Sequence, residues 1–246
     1  MSGYSFDAQS LNGMSPELIQ LPLGVGLREG PSLTNFEPGP NREVVAALNA
    51  VVTRNDGRCF YLWGPSGCGK THLLEALCRA LASGARRSAY VPLARTCPLE
   101  PSVLLGLDAF ALVCVDDVDT VAGRPAWEEA LFHLYNRLEP ASASLVVAAR
   151  QPPATVPYRL ADLQSRFAAG AVYRVRPLDD EGRRAALRRR AHERGFEIPD
   201  GVLTYLLRRR ARDMHSLFAL LERLDRGTLA AKRRVTIPFV RRLLEG

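Results

Sequence analysis

Residues 59–71 read Cys59-Phe60-Tyr61-Leu62-Trp63-Gly64-Pro65-Ser66-Gly67-Cys68-Gly69-Lys70-Thr71. The first five form a short apolar run ended by a glycine, the pattern of a buried strand. The next eight match G-x-x-x-x-G-K-[ST] at every position, and residues 70–83 continue with apolar and polar residues at the helical period. A glycine-rich loop between a strand and a helix is a phosphate cradle. Its backbone N–H groups wrap the phosphates, and the helix adds its positive N-terminal end. Lys70 would reach the β- and γ-phosphates as a compact point charge, and Thr71 would offer its hydroxyl to Mg²⁺. A plain glycine-rich turn before a helix is the bland alternative, and the complete match in its strand–helix context argues against it. The ligand expected here is a nucleoside diphosphate or triphosphate, held by Gly64 to Thr71 and by His72, the next residue of the helix.

Outward from the loop, apolar runs alternate with helical patterns. Further strands are predicted at Ser88 to Leu93, Ala111 to Val115, Ser144 to Ala149 and Val172 to Val175, with helices over Ala126 to Leu138 and Leu160 to Ala168. Asn41 reads as the N-cap of an earlier helix carrying Val44, Val45, Leu48, Val51 and Val52. Strands alternating with helices imply a five-stranded parallel α/β sheet covered on both faces. Beyond Pro177 only helices are predicted, at about 179–194, 200–211, 213–225 and 237–245. The expected division is a tail over 1–30, an α/β nucleotide-binding domain over 31–176 and a small helical domain over 177–246. Asp116 and Asp117 end the third strand, 45 positions after Thr71. Acids at the C-terminal end of a parallel strand lie beside such a loop. Asp116 would hold Mg²⁺ through water, and Asp117 could orient or deprotonate an attacking water. The bland reading of the pair is a helix N-cap.

Composition sets the remaining bounds. Apolar residues make up 47% of 246, enough for a sizeable core. No run approaches the roughly 18–20 apolar residues of a membrane span, and no secretory pattern opens the chain, so a cytoplasmic protein is expected. Five cysteines without a C-x-x-C pair read as reduced thiols. The net charge of +7 is uneven: residues 174–246 hold 19 Lys+Arg against 10 Asp+Glu. Such a surplus could meet nucleic acid or an acidic protein face, or could be a solvated arginine-rich helix surface. Only Lys70 and Lys232 are lysines among 33 basic residues. A chain that uses arginine nearly everywhere thus keeps lysine in the loop, where a broad guanidinium would fit poorly.

Leu163-Gln164-Ser165-Arg166-Phe167, leading to Gly170, resembles the arginine-finger box of the bacterial replication initiator DnaA family. Tyr61-Leu62-Trp63, Tyr90-Val91-Pro92-Leu93, Leu134-Tyr135-Asn136-Arg137, Arg194-Gly195-Phe196-Glu197 and Thr236-Ile237-Pro238-Phe239-Val240 are similar to the regulatory, Hda branch of that family. The likeness runs from about Leu33 to Glu245. It implies an AAA+ fold with a helical lid. It implies ADP or ATP, with adenine near Leu33 and Phe36, and an arginine finger at Arg166 acting in trans on a neighbouring subunit's nucleotide. Without the resemblance, Arg166 reads as a surface arginine in an ion pair. Gln20-Leu21-Pro22-Leu23 resembles the peptide with which the Hda branch binds the DNA polymerase III β sliding clamp. Gly24-Val25 departs from that branch's ending. Arg150 stands at the sensor-one position and His215 at the sensor-two position, which implies slow self-hydrolysis. The implied role is a regulator of DnaA that meets DNA through the loaded clamp, in the bacterial cytoplasm near the nucleoid, with homo-oligomerisation open. A helicase loader or truncated initiator acting directly on DNA is the alternative. With Gly246 following the helical region, the initiator's helix-turn-helix domain is not expected.

Overall fold

The computed structural model describes residues 30–54, 57–82, 86–96, 100–209, 214–231 and 235–245, with no side chain given for 209, 215, 226–231 or 243–245. The sheet is built from β1 (Cys59–Trp63), β2 (Ser88–Pro92), β3 (Leu112–Asp116), β4 (Ser144–Ala149) and β5 (Ala171–Arg174). The strand order is β2-β3-β4-β1-β5, and every pairing is parallel. All residues of β3 and β4 are buried, which is why both read as unbroken apolar runs: a parallel sheet is covered on each face. β2 is one residue shorter than predicted, because Leu93 opens the short helix α3 (Leu93–Thr96). β3 is shifted by one and takes in Asp116, which lies opposite Pro92.

Two apolar layers cover the sheet. On one face Phe60, Leu62, Cys114 and Val146 pack against α1 (Arg42–Thr53) and α2 (Lys70–Ala82). On the other, Tyr61, Val115 and Val147 meet Trp127, Leu131 and Leu134 of α4 (Pro125–Leu138) and Phe167 of α5 (Ala161–Ala169). Phe60, Tyr61 and Leu62 thus alternate between layers, as the two-residue period of a strand requires.

The helices α6 (Asp180–Glu193), α7 (Asp200–Arg209), α8 (Met214–Ala231) and α9 (Ile237–Glu245) close around a core of their own. That core includes Leu187, Val202, Leu203, Leu217, Leu221 and Val240. Asn41 takes the N-cap position of α1, as the sequence predicts, but its side chain makes no cap hydrogen bond there. It is buried and spans to Arg176, donating Nδ2 to the Arg176 carbonyl at 2.8 Å and accepting the Arg176 N–H at 2.7 Å. One amide thereby satisfies both backbone groups of a residue between β5 and the helices, a stronger demand than capping. Among the described residues no helix is long and apolar enough to cross a membrane.

Candidate functional site

The loop between β1 and α2 is held from both sides of the sheet. The Gly64 N–H donates to Ala149 of β4 at 3.2 Å, and the Val175 N–H donates to Trp63 at 2.7 Å. A side chain at Gly64 would lie 2.2 Å from the Val175 carbonyl oxygen, so only glycine allows this approach. Gly69 has φ +104 and would put a Cβ 2.7 Å from the Phe36 ring. Glycine is required there by conformation and by space. The Lys70 ammonium is buried and donates to the carbonyls of Gly64 at 2.7 Å and Pro65 at 3.0 Å. Its stem is therefore folded back over the loop that precedes it.

Across the site, Asp116 is nearly fully buried and accepts three hydrogen bonds. Thr71 Oγ1 donates to its Oδ2 at 2.6 Å, Tyr90 OH to the same oxygen at 3.1 Å, and the Asp117 N–H to Oδ1 at 3.0 Å. With its proton committed to Asp116, the Thr71 oxygen keeps its lone pairs for a cation. This donor set suits Mg²⁺, a hard ion that takes few protein oxygens and keeps its remaining places for water and phosphate. Asp117 is half-buried with φ 55, the left-handed region that a non-glycine residue enters only where its surroundings impose it. Burial raises its carboxyl pKa, and Asp116 and Asp119 raise it further, against a lowering by Arg150 and Lys70. A carboxylate held above its ordinary range is a better proton acceptor than an ordinary one. Arg150 itself is exposed at the end of β4.

The wall next to Gly69 is the segment 32–37. Phe36 is buried, its ring centroid 5.4 Å from that of His72. The His72 ring nitrogen Nε2 lies 3.0 Å from the Ser32 carbonyl. Burial lowers the His72 pKa; the Ser32 contact raises it and Arg190 lowers it. Leu33 is half-buried against the same core layer.

Arg166 lies elsewhere. It is exposed on α5, with its guanidinium carbon 5.3 Å from the Tyr135 ring centroid. The end of α5 abuts the start of β1, where a Cβ on Gly170 would lie 2.7 Å from the Cys59 carbonyl oxygen. The phosphate loop leaves the other end of β1, roughly 13 Å away at about 3.3 Å per residue. The structure therefore brings together Gly64 to Thr71, His72, Asp116, Asp117, Phe36 and Leu33, and sets Arg166 apart from them. His215 falls in α8 with its side chain outside what is described, and Gln20, Leu21, Pro22 and Leu23 lie outside the described residues.

Sequence reasoning passed over two acceptor–donor partners. Tyr90 on β2 belongs to a stretch quoted for the family likeness but was given no role at the site, and the register of Pro92 opposite Asp116 brings it within reach. Glu128 is fully buried, accepting the N–H groups of Gly123 at 2.6 Å and Leu160 at 2.7 Å.

A parallel five-stranded sheet with its phosphate loop after β1, an acidic pair after β3 and an all-helical cap defines an AAA+ nucleotide-binding module. Domain III of the replication initiation protein DnaA from Thermotoga maritima is similar, with a TM-score of 0.72 at 22% identity over 87% of this chain and 95% of that one. AMPPCP-bound DnaA from Aquifex aeolicus gives 0.63 at 22% identity, over 74% of this chain and 61% of that one. A RuvB mutant of Thermotoga maritima gives 0.65 at 18%, over 89% and 73%. Two family models then narrow the class. Residues 106–174 match the bacterial DnaA ATPase domain, and residues 180–244 match the Hda lid domain. The chain is a Hda/DnaA-like AAA+ protein.

Proposed function

We propose that this protein is a regulator of the initiator DnaA: it binds ADP or ATP with Mg²⁺ in its own site and lends Arg166 to ATP held by DnaA. The observation that carries the reading is the separation of two positive groups. Lys70 is buried within its own phosphate loop, whereas Arg166 is exposed on α5, one helical turn before the residue that abuts the opposite end of β1. A guanidinium so placed can stabilise charge only on a neighbouring subunit's nucleotide. The lid match at residues 180–244 and the ATPase match at residues 106–174 support the choice of DnaA as that neighbour.

In the chain's own site, backbone N–H groups from Ser66 to Gly69 and the Lys70 ammonium would bind phosphates, with Phe36 and Leu33 beside the base. Thr71 would ligate Mg²⁺ directly and Asp116 through water; the bound ion supplies neutralisation of phosphate charge. Asp117 would hold a water or take its proton. Hydrolysis there is slow under this reading, with Arg150 and His215 at the sensor positions. Gln20 to Leu23 would sink apolar anchors into the β sliding clamp, with DNA met through the loaded clamp. No ordinary enzymatic turnover of its own nucleotide is required.

The test is single-turnover hydrolysis of labelled ATP preloaded on DnaA, with this protein and clamp on DNA, each component omitted in turn. Stimulation should need all three and vanish with Arg166→Ala. Stimulation by the variant equal to wild type would remove the mechanism. A parallel pull-down with clamp compares wild type with Gln20→Ala/Leu23→Ala, and equal capture would remove the clamp peptide.

A further inference from the structure

One lid side chain grips the segment beside the phosphate loop. Arg189, in the third turn of α6, donates Nη1 to the carbonyls of Thr34 at 3.3 Å and Phe36 at 3.2 Å, and pairs through Nη2 with Glu37 at 3.0 Å. The three acceptors form a cup matched to a forked, delocalised cation; an ammonium could not reach all three with fixed geometry. The gripped segment is itself stiff. Ser32 N–H donates to Asn35 Oδ1 at 2.9 Å, and Asn35 N–H donates to Ser32 Oγ at 3.0 Å. Its other face touches the loop's exit, through Phe36 against Gly69 and through the Ser32 carbonyl at His72.

We infer that Arg189 is a positioning residue for the nucleoside end of the bound nucleotide: it locks the turn 32–37 to the lid, so that Phe36 is held against Gly69 before the ligand arrives. This rests on the nucleotide reading above. The phosphate end is held by different groups, Lys70 and Thr71, and does not depend on this lock. Losing Arg189 therefore costs affinity through ordering of the turn, a cost that a pre-organised segment avoids. Glu37 acts in the same unit, so removing either partner should do much of what removing both does.

Calorimetry of the full chain with ADP, and displacement of ADP by inorganic pyrophosphate, separate the two ends. Arg189→Ala should weaken ADP about tenfold, and Glu37→Gln by a smaller factor, while pyrophosphate affinity stays within about twofold. Lys70→Ala should lose both ligands, so failure of the phosphate site is distinguishable from failure of this inference. Unchanged ADP affinity in Arg189→Ala, or equal loss for ADP and pyrophosphate, would overturn it. Hydrogen exchange of ADP-saturated protein gives an independent reading. Residues 32–37 should exchange faster in Arg189→Ala, with residues 64–71 as protected as in wild type. Unchanged protection of residues 32–37 would also overturn the assignment.

Discussion

The two ends of β1 handle positive charge in opposite ways. At its C-terminal end Lys70 is buried and bonded to carbonyls of its own loop, facing an acid that already has three donors. Near its N-terminal end Arg166 is exposed and rests against Tyr135, over the ring and through a side-chain hydrogen bond. Burial with fixed partners makes a group part of its own site, since the local structure determines where its charge acts. An exposed guanidinium on a ring is held loosely, by about 0.5–1 kcal/mol, and can be given up to a partner. The lid arginines follow a third pattern. Arg183 pairs with Asp180, Arg188 with Asp200, Arg190 with Glu193, and Arg194 with Glu222 and Asp225. These acids belong to the same segment, so the pairs fix individual arginines in place without removing the basic surplus after residue 174.

The comparison breaks most sharply at Arg166. Arg166→Ala should cut stimulated hydrolysis of DnaA-bound ATP by about 10³ to 10⁵, the range of arginine fingers. ADP affinity and thermal stability should not move, because an exposed arginine contributes little to either. At the other end, Lys70→Ala should weaken ADP or ATP by about a hundredfold or more in calorimetry, as removal of a desolvated charge partner does. Unchanged affinity there would mean that the loop is not the phosphate site.

Glu128 sharpens the contrast from below, because it fixes the start of the helix that carries Arg166. Glu128→Ala strips partners from two half-buried N–H groups. At half-burial each loss costs about 1 kcal/mol, the low end for an unpaired N–H, so the midpoint of thermal unfolding should fall by on the order of 5 °C. Stimulated hydrolysis should fall more than ADP affinity if the two ends are independent.

The smallest effect belongs to Asp117. Its folded pKa is raised, so the native state holds the proton more tightly than the unfolded chain. Stability is then lost as pH rises from the ordinary carboxylate range through the raised value, the opposite of a salt-bridged acid. Asp117→Asn should unfold at a slightly higher temperature than wild type at pH 7, with the difference closing near pH 4. Asparagine also tolerates the left-handed backbone there. A variant less stable than wild type at pH 7 would show that the ionised carboxylate is favoured in the fold.

The sheet was legible because its signals are local. A buried parallel strand must be apolar at every position, and a phosphate loop must carry glycine where a Cβ would strike Val175 or Phe36. The acidic pair was legible for the same reason, since it ends such a strand. The position of Asn41 before α1 was legible but the use of its side chain was not, because the residue types that cap helices are also those whose amides bridge backbone, and only the approach of Arg176 decides between the two uses. Tyr90, Glu128 and Arg189 were hidden by distance along the chain: their partners lie 26, 32 and 153 positions away.

By itself, then, the sequence determined the glycine-rich loop between a strand and a helix, the five strands and the helical cap, because each rests on residue types at short fixed spacing. The tertiary structure decided which charges are committed and which are free to act outward. It folded Lys70 onto its loop, gave Asp116 three donors, raised the pKa of Asp117 by burial, and paired the lid arginines with acids of their own chain. The reason is physical: the strength and reach of a charge depend on its desolvation and its neighbours in space, and neither is written in the spacing of residues along a chain.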